Sequence, residues 1–547
     1  MLGLLLFASV AASPADVRAV RVLFTADLHG RSQPTVDFSS PGLPRRELGG
    51  WHGLARVVDS LRTDACLLLD AGDFAFGAPE SDSLQGRLAV QMMNRLGYDA
   101  AVLGPRDFLG GLENVELLVR AAGFVVLADP MLDVVLKRRV PLFRPFVVKD
   151  IKGVRVGIVG ITDPDIVRLN RAADVRGLAL EPPVVQLKRY LPAVQADSPD
   201  VIIALGHLTT TQARVLADSF PELTMVVCAG SDTSTHEHRV YGAGRYGQRV
   251  GVVDLLLSPH PAHGGRRRWR VIQSGFLILN VEPGESRLGQ RAWERQLCFN
   301  PREMVPDSAG RLNLCLLVAE AVRSQTGADI AVLPLSVIES GLRAGPLTWY
   351  ELFGTVPFRE RMRVVSMDDT MLVKLVSSDS LDPETAAPAV AGADYFVSGD
   401  TSNWPTVGRI ARTRLRARKC GTYRVATTEH WLEQTRSGVT GRLLTEDLTE
   451  VWLAWCGRQE TLAAPPVVRR YPATPGIMRT TGAGLININT ANTELLCTLP
   501  GIGPTTARRI IEFREAQGRF RSVDDLQMVK GIGPKKLERI RPLVTVR

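Results

Sequence analysis

The chain has 547 residues, 45% of them hydrophobic and 22% charged, which is ordinary for a soluble globular protein and predicts several domains with real cores. The net charge is +9, and residues 481–547 carry +5 of it, because they hold eleven lysines and arginines against six acidic residues. This bias predicts an anionic partner for the C-terminal tail. Seven cysteines without a C-x-x-C pair argue against a zinc site built from cysteines.

The N-terminus is apolar. Residues 1–15 combine an apolar run with small residues suited to cleavage near Ala12, which predicts a signal peptide and a periplasmic or secreted protein. No lysine or arginine precedes the run, and a mis-set start codon would account for that departure from the pattern. The run is shorter than the roughly 20 residues that cross a bilayer, and no other segment qualifies, so no transmembrane span is predicted.

Three apolar segments end in residues that commonly bind metals. The first, from Arg21, has the pattern of a buried strand and leads into Asp27 and His29. The second segment, from Cys66, leads into Asp73, and the third, from Asp200, leads into His207. In open α/β sheets, ligands bind just beyond the carboxyl ends of the strands, so these four side chains are the candidate metal ligands.

This order of Asp, His, Asp and His at strand ends resembles the calcineurin-like metallophosphoesterases. Within this class, the bacterial 5′-nucleotidases are similar to the chain in three flanking segments, residues 48–56, 92–104 and 240–248. The resemblance implies an α/β metallophosphoesterase domain, a four-layer αββα sandwich, over residues 18–290. The second, α+β domain of the same family is similar to three later segments, residues 312–333, 343–352 and 422–428. This similarity implies a 5′-nucleotidase C-terminal domain over residues 300–460.

The resemblance also implies metal sites. Enzymes of this family hold two divalent ions about 3.5–4 Å apart, which clamp the phosphate and acidify the attacking water. By this resemblance Asp27, His29 and Asp73 bind one ion, and Asp73 bridges to the second with help from His207. With the departures described next, we expect no more than one divalent ion, Mn, Zn or Mg, at these four residues.

The chain departs from the family inside the same motifs. A ligand of the first ion is replaced by Thr233, and the Asn and His that complete the second site are replaced by Pro105 and Ser231. Arg106 stands where the family has the histidine that protonates the leaving group, and an arginine cannot act as a general acid at neutral pH. Its planar fork suits a phosphate, so Arg106 is a candidate phosphate-binding residue, while no catalytic residue is assigned.

Two repairs of the metal pair are conceivable from the sequence. Asp107 and Asp232 offer replacement carboxylates, which hard cations accept. His236 and His238 would share one face of a strand, although they are equally consistent with a polar surface loop. The original four ligands are also consistent with a relic geometry that binds no metal.

The nucleoside site of the second domain is altered as well. Where the family has Asn-Gly-Gly-Gly-Ile-Arg, residues 334–339 read Pro-Leu-Ser-Val-Ile-Glu. Glu339 thus places an anion where the family has a cation. A nucleotide or phosphate ligand stays open as an alternative partner, with weak or no catalysis.

The C-terminal tail is the most specific sequence in the chain. Residues 462–484, rich in proline and glycine, predict a linker, and residues 485–547 closely resemble the tandem helix-hairpin-helix domain of the ComEA family of competence DNA receptors, which implies a small all-α fold. Two Gly-Ile-Gly-Pro hairpins recur thirty residues apart. The candidate DNA-binding residues are Gly501, Gly503, Arg508, Lys530, Gly531, Gly533, Lys535 and Lys536.

Glycines let a hairpin backbone approach a phosphate, and the following helix directs free N–H groups and its positive end at the anion. Such contacts go to the backbone of the duplex, so we expect binding to double-stranded DNA of any sequence. Helix-hairpin-helix units also serve as protein-docking modules, which is the alternative for this tail.

Three functions remain open from the sequence. The first is an exported DNA-binding protein, acting in DNA uptake or extracellular DNA handling, on a degenerate 5′-nucleotidase scaffold. The second is a metal-dependent phosphoesterase that hydrolyses nucleotides or nucleic acid with an altered metal site. The third is a structural protein in which neither site binds a ligand.

Overall fold

The structure is a computed structural model, and the described residues are 17–546 with internal gaps. The gaps are 40–44, 130–131, 134–137, 140–142, 171–174, 176–177, 230–234, 238, 264–265, 285–294, 306–307, 377–387, 393, 401–402, 412–421, 436–438, 440, 463–477, 480–485, 490, 492–495, 497–498, 500–501, 503, 521 and 542–543. Several predicted features therefore lie outside the described part: residues 1–15, most of the linker, Ser231, Asp232, Thr233, His238, Gly501 and Gly503. The side chains of His236 and Lys535 lie outside it as well.

The chain forms two compact units, neither of them continuous in sequence. Unit 1 comprises residues 1–305, 339–361 and 446–462, and unit 2 comprises residues 306–338, 362–445 and 463–547. The domain boundaries predicted from the sequence remain a prediction. Unit 1 includes two segments that follow the first stretch of unit 2, and Glu339 is the first residue of the earlier one.

Unit 1 is built on two six-stranded sheets. The strands of the first sheet, in spatial order, are Arg266–Asn280, Arg249–His263, Arg18–Thr25, Cys66–Asp70, Ala100–Val102 and Val125–Leu127. Those of the second are Thr235–Glu237, Val240–Gly242, Met225–Cys228, Val201–Gly206, Val154–Ile161 and Phe146–Ile151. Arg18–Thr25 and Cys66–Asp70 pair in parallel, and Val201–Gly206 is parallel to both its neighbours, so the ends of these strands that carry candidate ligands lie at one edge of each sheet.

The sheets pack face to face with helices outside them. Residues such as Val22 and Phe24 of the first sheet share a fully buried core with Ile158 and Ile203 of the second. The alternate residue Leu23 faces the other way, into a core with helix residues, as the two-residue period of a strand requires. A third core joins the outer face of the second sheet to its helices. The predicted four-layer αββα sandwich is confirmed.

The helices of unit 1 before residue 300 are Trp51–Leu61, Pro79–Asp82, Arg87–Leu96, Gly111–Ala121, Asp165–Leu169, Pro183–Ala196 and Thr210–Ser219. The later segments of unit 1 add the helices Trp349–Thr355 and Leu448–Cys456 and the strand Gly345–Thr348, which pairs antiparallel with Gln296–Asn300 of the first segment. Short strands Pro34–Val36 and Glu47–Gly49 pair, and Leu178–Ala179, Leu132–Asp133 and Arg138–Arg139 form a small sheet. In the described part of the chain, no helix has the length and apolar character needed to cross a membrane.

Unit 2 has a five-stranded sheet with the order Ala389–Ala391, Ile330–Leu333, Thr422–Thr428, Arg361–Asp368 and Arg442–Asp447. Its helices are Ser308–Thr326, Asp369–Val376 and Glu429–Gln434, and a smaller sheet pairs Asn403–Ala411, Asp394–Asp400 and Met478–Arg479. This mixed arrangement agrees with the predicted α+β domain.

The tail within unit 2 has its own hydrophobic core, formed by residues from Ile488 to Val544. Its described elements are the strand Ile486–Asn487, the helix Pro504–Gln517, the 3₁₀ turn Val523–Met528, the helix Pro534–Ile540 and the strand Val544–Thr545. The two short strands pair in parallel and so join the two ends of the tail. The tail is mainly helical, as predicted.

Candidate metal centre and nucleic-acid interface

Three of the four predicted ligands come together where strands of both sheets end. Asp27 follows the strand Arg18–Thr25 and Asp73 follows Cys66–Asp70, while His207 follows Val201–Gly206 of the second sheet. Nε2 of His207 lies 3.1 Å from Oδ1 of Asp27 and 3.2 Å from Oδ2 of Asp73. One potential ligand atom from each residue lies within 4.8 Å of the other two, which is the spacing of a metal-binding cluster.

The loops that carry this cluster have a rare backbone conformation. The φ angles of Asp27, His29 and Asp73 are +49°, +50° and +56°, in the left-handed region that non-glycine residues seldom adopt. The Asp27 N–H donates to the Gly72 carbonyl and the His29 N–H to the Asp73 carbonyl, each at 2.9 Å, so the two loops hold each other. Such conformations cost about 1–3 kcal/mol each and concentrate at functional sites. Here they place the carboxylates of Asp27 and Asp73 beside His207.

His29 is oriented by its neighbours but lies outside the three-residue cluster. Its Nδ1 is 2.9 Å from the Phe76 carbonyl oxygen, which can only accept, so Nδ1–H donates there. Nε2 is 3.5 Å from Oε1 of Glu339, and the ring lies between the rings of Tyr246 and Phe358, at 5.7 and 5.9 Å. A metal-binding histidine is usually held this way, so His29 remains a predicted ligand.

The charges within the cluster are strongly coupled. Burial opposes a charge on His207, but the carboxylates of Asp73 and Asp27 outweigh burial and raise the pKa of His207 well above its usual value. Burial also opposes the charge on Asp73, yet His207, His29 and Arg106 together lower the pKa of that carboxyl. A proton on His207 and a metal ion therefore compete for the same two carboxylates, and metal affinity should fall as the pH falls.

The donor set fits one divalent ion. Two carboxylates and an imidazole are ligands that Mn²⁺, Zn²⁺ and Mg²⁺ accept, and three protein ligands leave positions open for water or substrate. The family resemblance gives further ligands or the general acid to four positions, and the structure describes two of them, Pro105 and Arg106. The side chain of Pro105 has no hydrogen-bond donor, and that of Arg106 is a guanidinium.

We expect the purified protein to bind one divalent ion per chain rather than two. Asp73→Ala should abolish this binding, because Asp73 supplies one of the two carboxylates of the cluster. The exposed carboxylate of Asp64, which pairs with Lys152 at the surface, provides the matched control Asp64→Asn, which should keep the full stoichiometry. Metal analysis by mass spectrometry measures the ratio, and anomalous scattering that shows two ions within about 4 Å would contradict the prediction.

Arg106 and Asp107 serve the loop that carries Asp73. The Arg106 N–H donates to Oδ1 of Asp73 at 2.7 Å, and its guanidinium lies over the ring of Phe358, 3.7 Å from the centroid. Asp107 is fully buried and accepts from the N–H groups of Asp73, Ala75 and Gly104 at 2.8–3.0 Å. Both oxygens of Asp107 are committed to the backbone, so the structure gives no support to the suggestion that Asp107 replaces a lost metal ligand.

Glu339 lies beside His29 and is a site residue whose surroundings the sequence did not reveal. Its carboxylate accepts from the Tyr246 hydroxyl at 2.6 Å and pairs with Nη1 of Arg245 at 3.1 Å. Burial opposes its charge, but Arg245 and His29 outweigh burial and lower the pKa of Glu339 far below its usual value. The site therefore contains a permanent internal anion.

Beneath the cluster, Asp70 is a buried carboxyl that titrates near neutrality. It accepts from the Thr25 hydroxyl at 2.6 Å and from the Gly72 N–H at 2.9 Å, and the Thr25 hydroxyl is 2.7 Å from that of Tyr98. Burial raises the pKa of Asp70 to about 7. In the unfolded chain the carboxyl ionises near its usual value of 3.8, so the folded protein holds the proton more tightly.

From this shift we expect a pH-dependent stability difference between the metal-free protein and Asp70→Asn. Stability from the protonated Asp70 is fully present below pH 4 and is lost as the pH rises to about 7, by about 1.4 kcal/mol per pH unit. Asn does not titrate, so the melting temperature of the variant minus that of the wild type should increase from about pH 4.5 to about 7. Above about pH 7 this difference should be constant. Scanning calorimetry with a chelator measures this; a constant difference across the range would contradict it.

In the tail, the second hairpin presents its glycines outward. Val529 and Ile532 are buried in the tail core, while Lys530, Gly531 and Gly533 are exposed. Gly531 has φ +103°, which favours glycine. A Cβ built on Gly533 would meet no atom of the described residues within 4 Å, so among them the space next to this backbone is open. This is the geometry that close approach of a phosphate requires.

Basic side chains brace the same hairpin. Nζ of Lys536 donates to the Gly531 carbonyl at 2.8 Å, and Nη1 of Arg509 donates to the Lys530 carbonyl at 3.1 Å. An ammonium has three protons, so Lys536 retains donors for an anion. Arg508 is exposed on the helix Pro504–Gln517, which follows the first hairpin. Arg509 was not among the predicted residues, because its contact with the second hairpin is not visible in the sequence.

The Asn-x-Asn pattern at the start of the tail has a structural role. The side chain of Asn489 donates to the carbonyls of Phe520 and Val546, both at 3.0 Å, and accepts from the Phe520 N–H at 2.8 Å. Its own N–H donates to the Asn487 side chain at 2.9 Å. One amide side chain thus joins the beginning, middle and end of the tail.

Comparison with known proteins agrees with this architecture. Residues 301–440 match the family described as 5′-nucleotidase, C-terminal domain, and residues 482–545 match the helix-hairpin-helix motif. The chain is similar to a 5′-nucleotidase of Vibrio cholerae, 28% identical over 194 residues, which are 34% of this chain and 33% of that protein. It is also similar to endonuclease YhcR of Bacillus subtilis, 19% identical over 432 residues, 72% of this chain and 35% of that protein.

The chain spans about a third of the length of these two curated relatives. Among solved structures, a 5′-nucleotidase precursor from Thermus thermophilus superposes with a TM-score of 0.66 at 19% identity, over 82% of this chain and 100% of that one. At this identity the likeness shows the fold alone. The chain therefore carries a 5′-nucleotidase C-terminal domain and a helix-hairpin-helix motif, and its fold is that of the 5′-nucleotidase metallophosphoesterases.

Proposed function

We propose that this is an exported protein that binds double-stranded DNA without sequence preference, on a 5′-nucleotidase scaffold that no longer hydrolyses nucleotides efficiently. The observation that carries the proposal is the second hairpin of the tail, where an open glycine backbone lies beside basic side chains in a region that matches the helix-hairpin-helix motif. Export is supported by the signal-peptide pattern of residues 1–15.

The tail supports nonspecific binding for a physical reason. A hairpin that offers backbone N–H groups and flexible cations can contact phosphates, which are the same at every step of a duplex. The exposed hairpin positions Lys530, Gly531 and Gly533 offer a cation and backbone N–H groups, which suit phosphates. Binding should therefore depend on salt much more than on sequence.

The altered site in unit 1 supports the loss of nucleotide hydrolysis. Glu339 adds a buried negative charge next to His29, and its partners Arg245 and Tyr246 are already engaged with it. A phosphate monoester that approaches this region meets an anion rather than a cation, which weakens binding. Arg106, where the family has its general acid, cannot supply a proton to a leaving group.

A single metal ion can still contribute chemistry in this scaffold. Asp27, Asp73 and His207 would hold it, and when bound it would polarise a phosphoryl oxygen and lower the pKa of bound water. The chain's own residues position the site. Asp107 fixes the loop of Asp73, and the Phe76 carbonyl fixes the tautomer of His29.

A second candidate function is metal-dependent hydrolysis of nucleic acid, and the preserved cluster of Asp27, Asp73 and His207 favours it. The likeness to a protein named as an endonuclease, over 72% of this chain, supports the same candidate. The tail would then bring DNA to the scaffold.

One pair of assays separates the two candidates. The assays are plasmid nicking and hydrolysis of bis-p-nitrophenyl phosphate, each with Mn²⁺, Zn²⁺ or Mg²⁺. We expect the wild type to be no faster than Asp73→Ala in either assay. A rate that Asp73→Ala abolishes and Asp64→Asn preserves would favour the nuclease. Retention of the full chain by DNA in a mobility-shift assay tests the DNA-binding function independently of any hydrolysis.

A further inference from the structure

Two cysteines lie together in unit 1, far apart in sequence. Cys298 is on the strand Gln296–Asn300, and Cys456 is the last residue of the helix Leu448–Cys456. Both are buried, with 2% and 0% of their surface exposed, and both are thiols in the structure. The two side chains are hydrogen-bonded to each other, so their sulfur atoms are neighbours.

The backbone around the pair fixes this contact. The N–H of Phe299 donates to the Glu460 carbonyl at 3.0 Å, and the N–H of Leu462 donates to the Phe299 carbonyl at 2.8 Å. The residue after one cysteine is thus paired with the chain that follows the other, and Phe299 and Thr461 form a parallel bridge. Backbone pairing thus holds the chain on either side of the two cysteines together.

We propose that Cys298 and Cys456 are a disulfide-forming pair, which a disulfide oxidant such as oxidised glutathione converts to a covalent bridge within unit 1. The proposal is independent of DNA binding and of hydrolysis. It concerns neither the metal cluster nor the tail, and it would hold even if both proposed functions were wrong.

The exchange proceeds in two steps through a mixed disulfide. One of the two cysteines, as its thiolate, attacks a sulfur of oxidised glutathione, which releases one glutathione thiolate. The other cysteine then loses its proton and attacks the protein sulfur of the mixed disulfide, which releases the second glutathione thiolate.

Overall, two protein S–H bonds and the glutathione S–S bond are broken, and one protein S–S bond and two glutathione S–H bonds are formed. Two electrons pass from the protein to glutathione. Because both sulfurs are buried in the folded protein, exchange is expected during folding or local opening rather than on the native surface.

The bridge would have a specific mechanical effect. The loop that it closes runs from residue 299 to residue 455 and contains residues 306–338 and 362–445, the parts of unit 2 that interrupt unit 1. A cross-link across so long a loop restricts the unfolded chain strongly. It would keep the strand Gln296–Asn300 and the helix Leu448–Cys456 together when unit 2 unfolds.

The test is refolding of the full chain from urea in a glutathione redox buffer, followed by denaturation, alkylation with iodoacetamide and mass measurement. Of the seven cysteines in the sequence, we expect five to be alkylated, and seven after prior reduction. Tryptic peptides of the unreduced protein should include one that joins Cys298 to Cys456. Alkylation of all seven without reduction, or a bridge that leaves either of these two free, would overturn the proposal.

A thermal measurement provides a second readout with a matched control. Reduction should lower the melting temperature of the oxidised wild type by roughly 5–10 °C, while C298S/C456S should show no response to reductant. Cys66→Ser changes a half-buried cysteine on another strand and should keep the response of the wild type. Peptide mapping on the wild type decides the question even if the double variant does not fold.

Discussion

Raising the salt concentration from 50 to 200 mM should weaken binding of the full chain to double-stranded DNA by roughly 250- to 1,000-fold. Two hairpins that neutralise about four to six phosphates give a slope of about −4 to −5 in log affinity against log salt. Fluorescence anisotropy with duplexes of unrelated sequence measures both the slope and the lack of preference. A full chain that leaves DNA unretarded at low salt would indicate that the tail docks a protein instead.

Two variants separate backbone approach from charge in this prediction. Gly533→Leu should abolish binding and keep the helix content, because its side chain fills the space that a phosphate would enter, while its Cβ meets no atom of the tail residues that the structure describes. Gln517→Leu adds the same side chain at the far, exposed end of the helix Pro504–Gln517 and should bind normally. Lys530→Ala should weaken binding to all sequences alike and reduce the slope by about 1.

AMP hydrolysis should be negligible with Mn²⁺, Zn²⁺ or Co²⁺, with kcat/KM at least about 10,000-fold below that of the similar Vibrio cholerae 5′-nucleotidase assayed in parallel. A general acid alone contributes about 100- to 10,000-fold, and by the family resemblance Pro105 also takes the place of a ligand of the second metal ion, while Glu339 lies beside His29. Phosphate release measures the rate. Robust turnover that Asp73→Ala abolishes and Asp64→Asn preserves would show that the altered site is an active nucleotidase.

The parts of the fold that depend on local pattern were predictable from the sequence. Short apolar runs that end in Asp27, Asp73 and His207 are strands followed by loops, and the structure brings these three residues together. The four-layer arrangement followed from family resemblance and is confirmed by the two sheets and their three cores. In the tail, hairpin glycines and apolar spacing predicted the helices that the structure contains.

The parts that depend on distant contacts were not predictable. Glu339 lies 3.5 Å from His29 although 309 intervening residues separate them, and no periodicity reports such a contact. The sequence offered Asp107 as a replacement metal ligand, yet its carboxylate accepts hydrogen bonds from three backbone N–H groups. These bonds depend on the folded loop and cannot be read from the sequence. Asn489 belonged to the pattern that resembles a DNA-binding family and proves to tie the tail together.

The interrupted course of unit 1 sets an order of events on the ribosome. Its first 305 residues are made early, but Tyr350, which donates to the buried Glu80 at 3.2 Å, and Trp452, fully buried in the late segments, are made much later. At about 5–20 residues per second, residue 462 follows residue 305 by roughly 8–30 s. During that interval the nascent chain lacks part of its own core and exposes the surfaces that these side chains will cover. Unit 1 cannot complete its folding before residue 462 has been synthesised, which is about two-thirds of the way from residue 305 to the C-terminus.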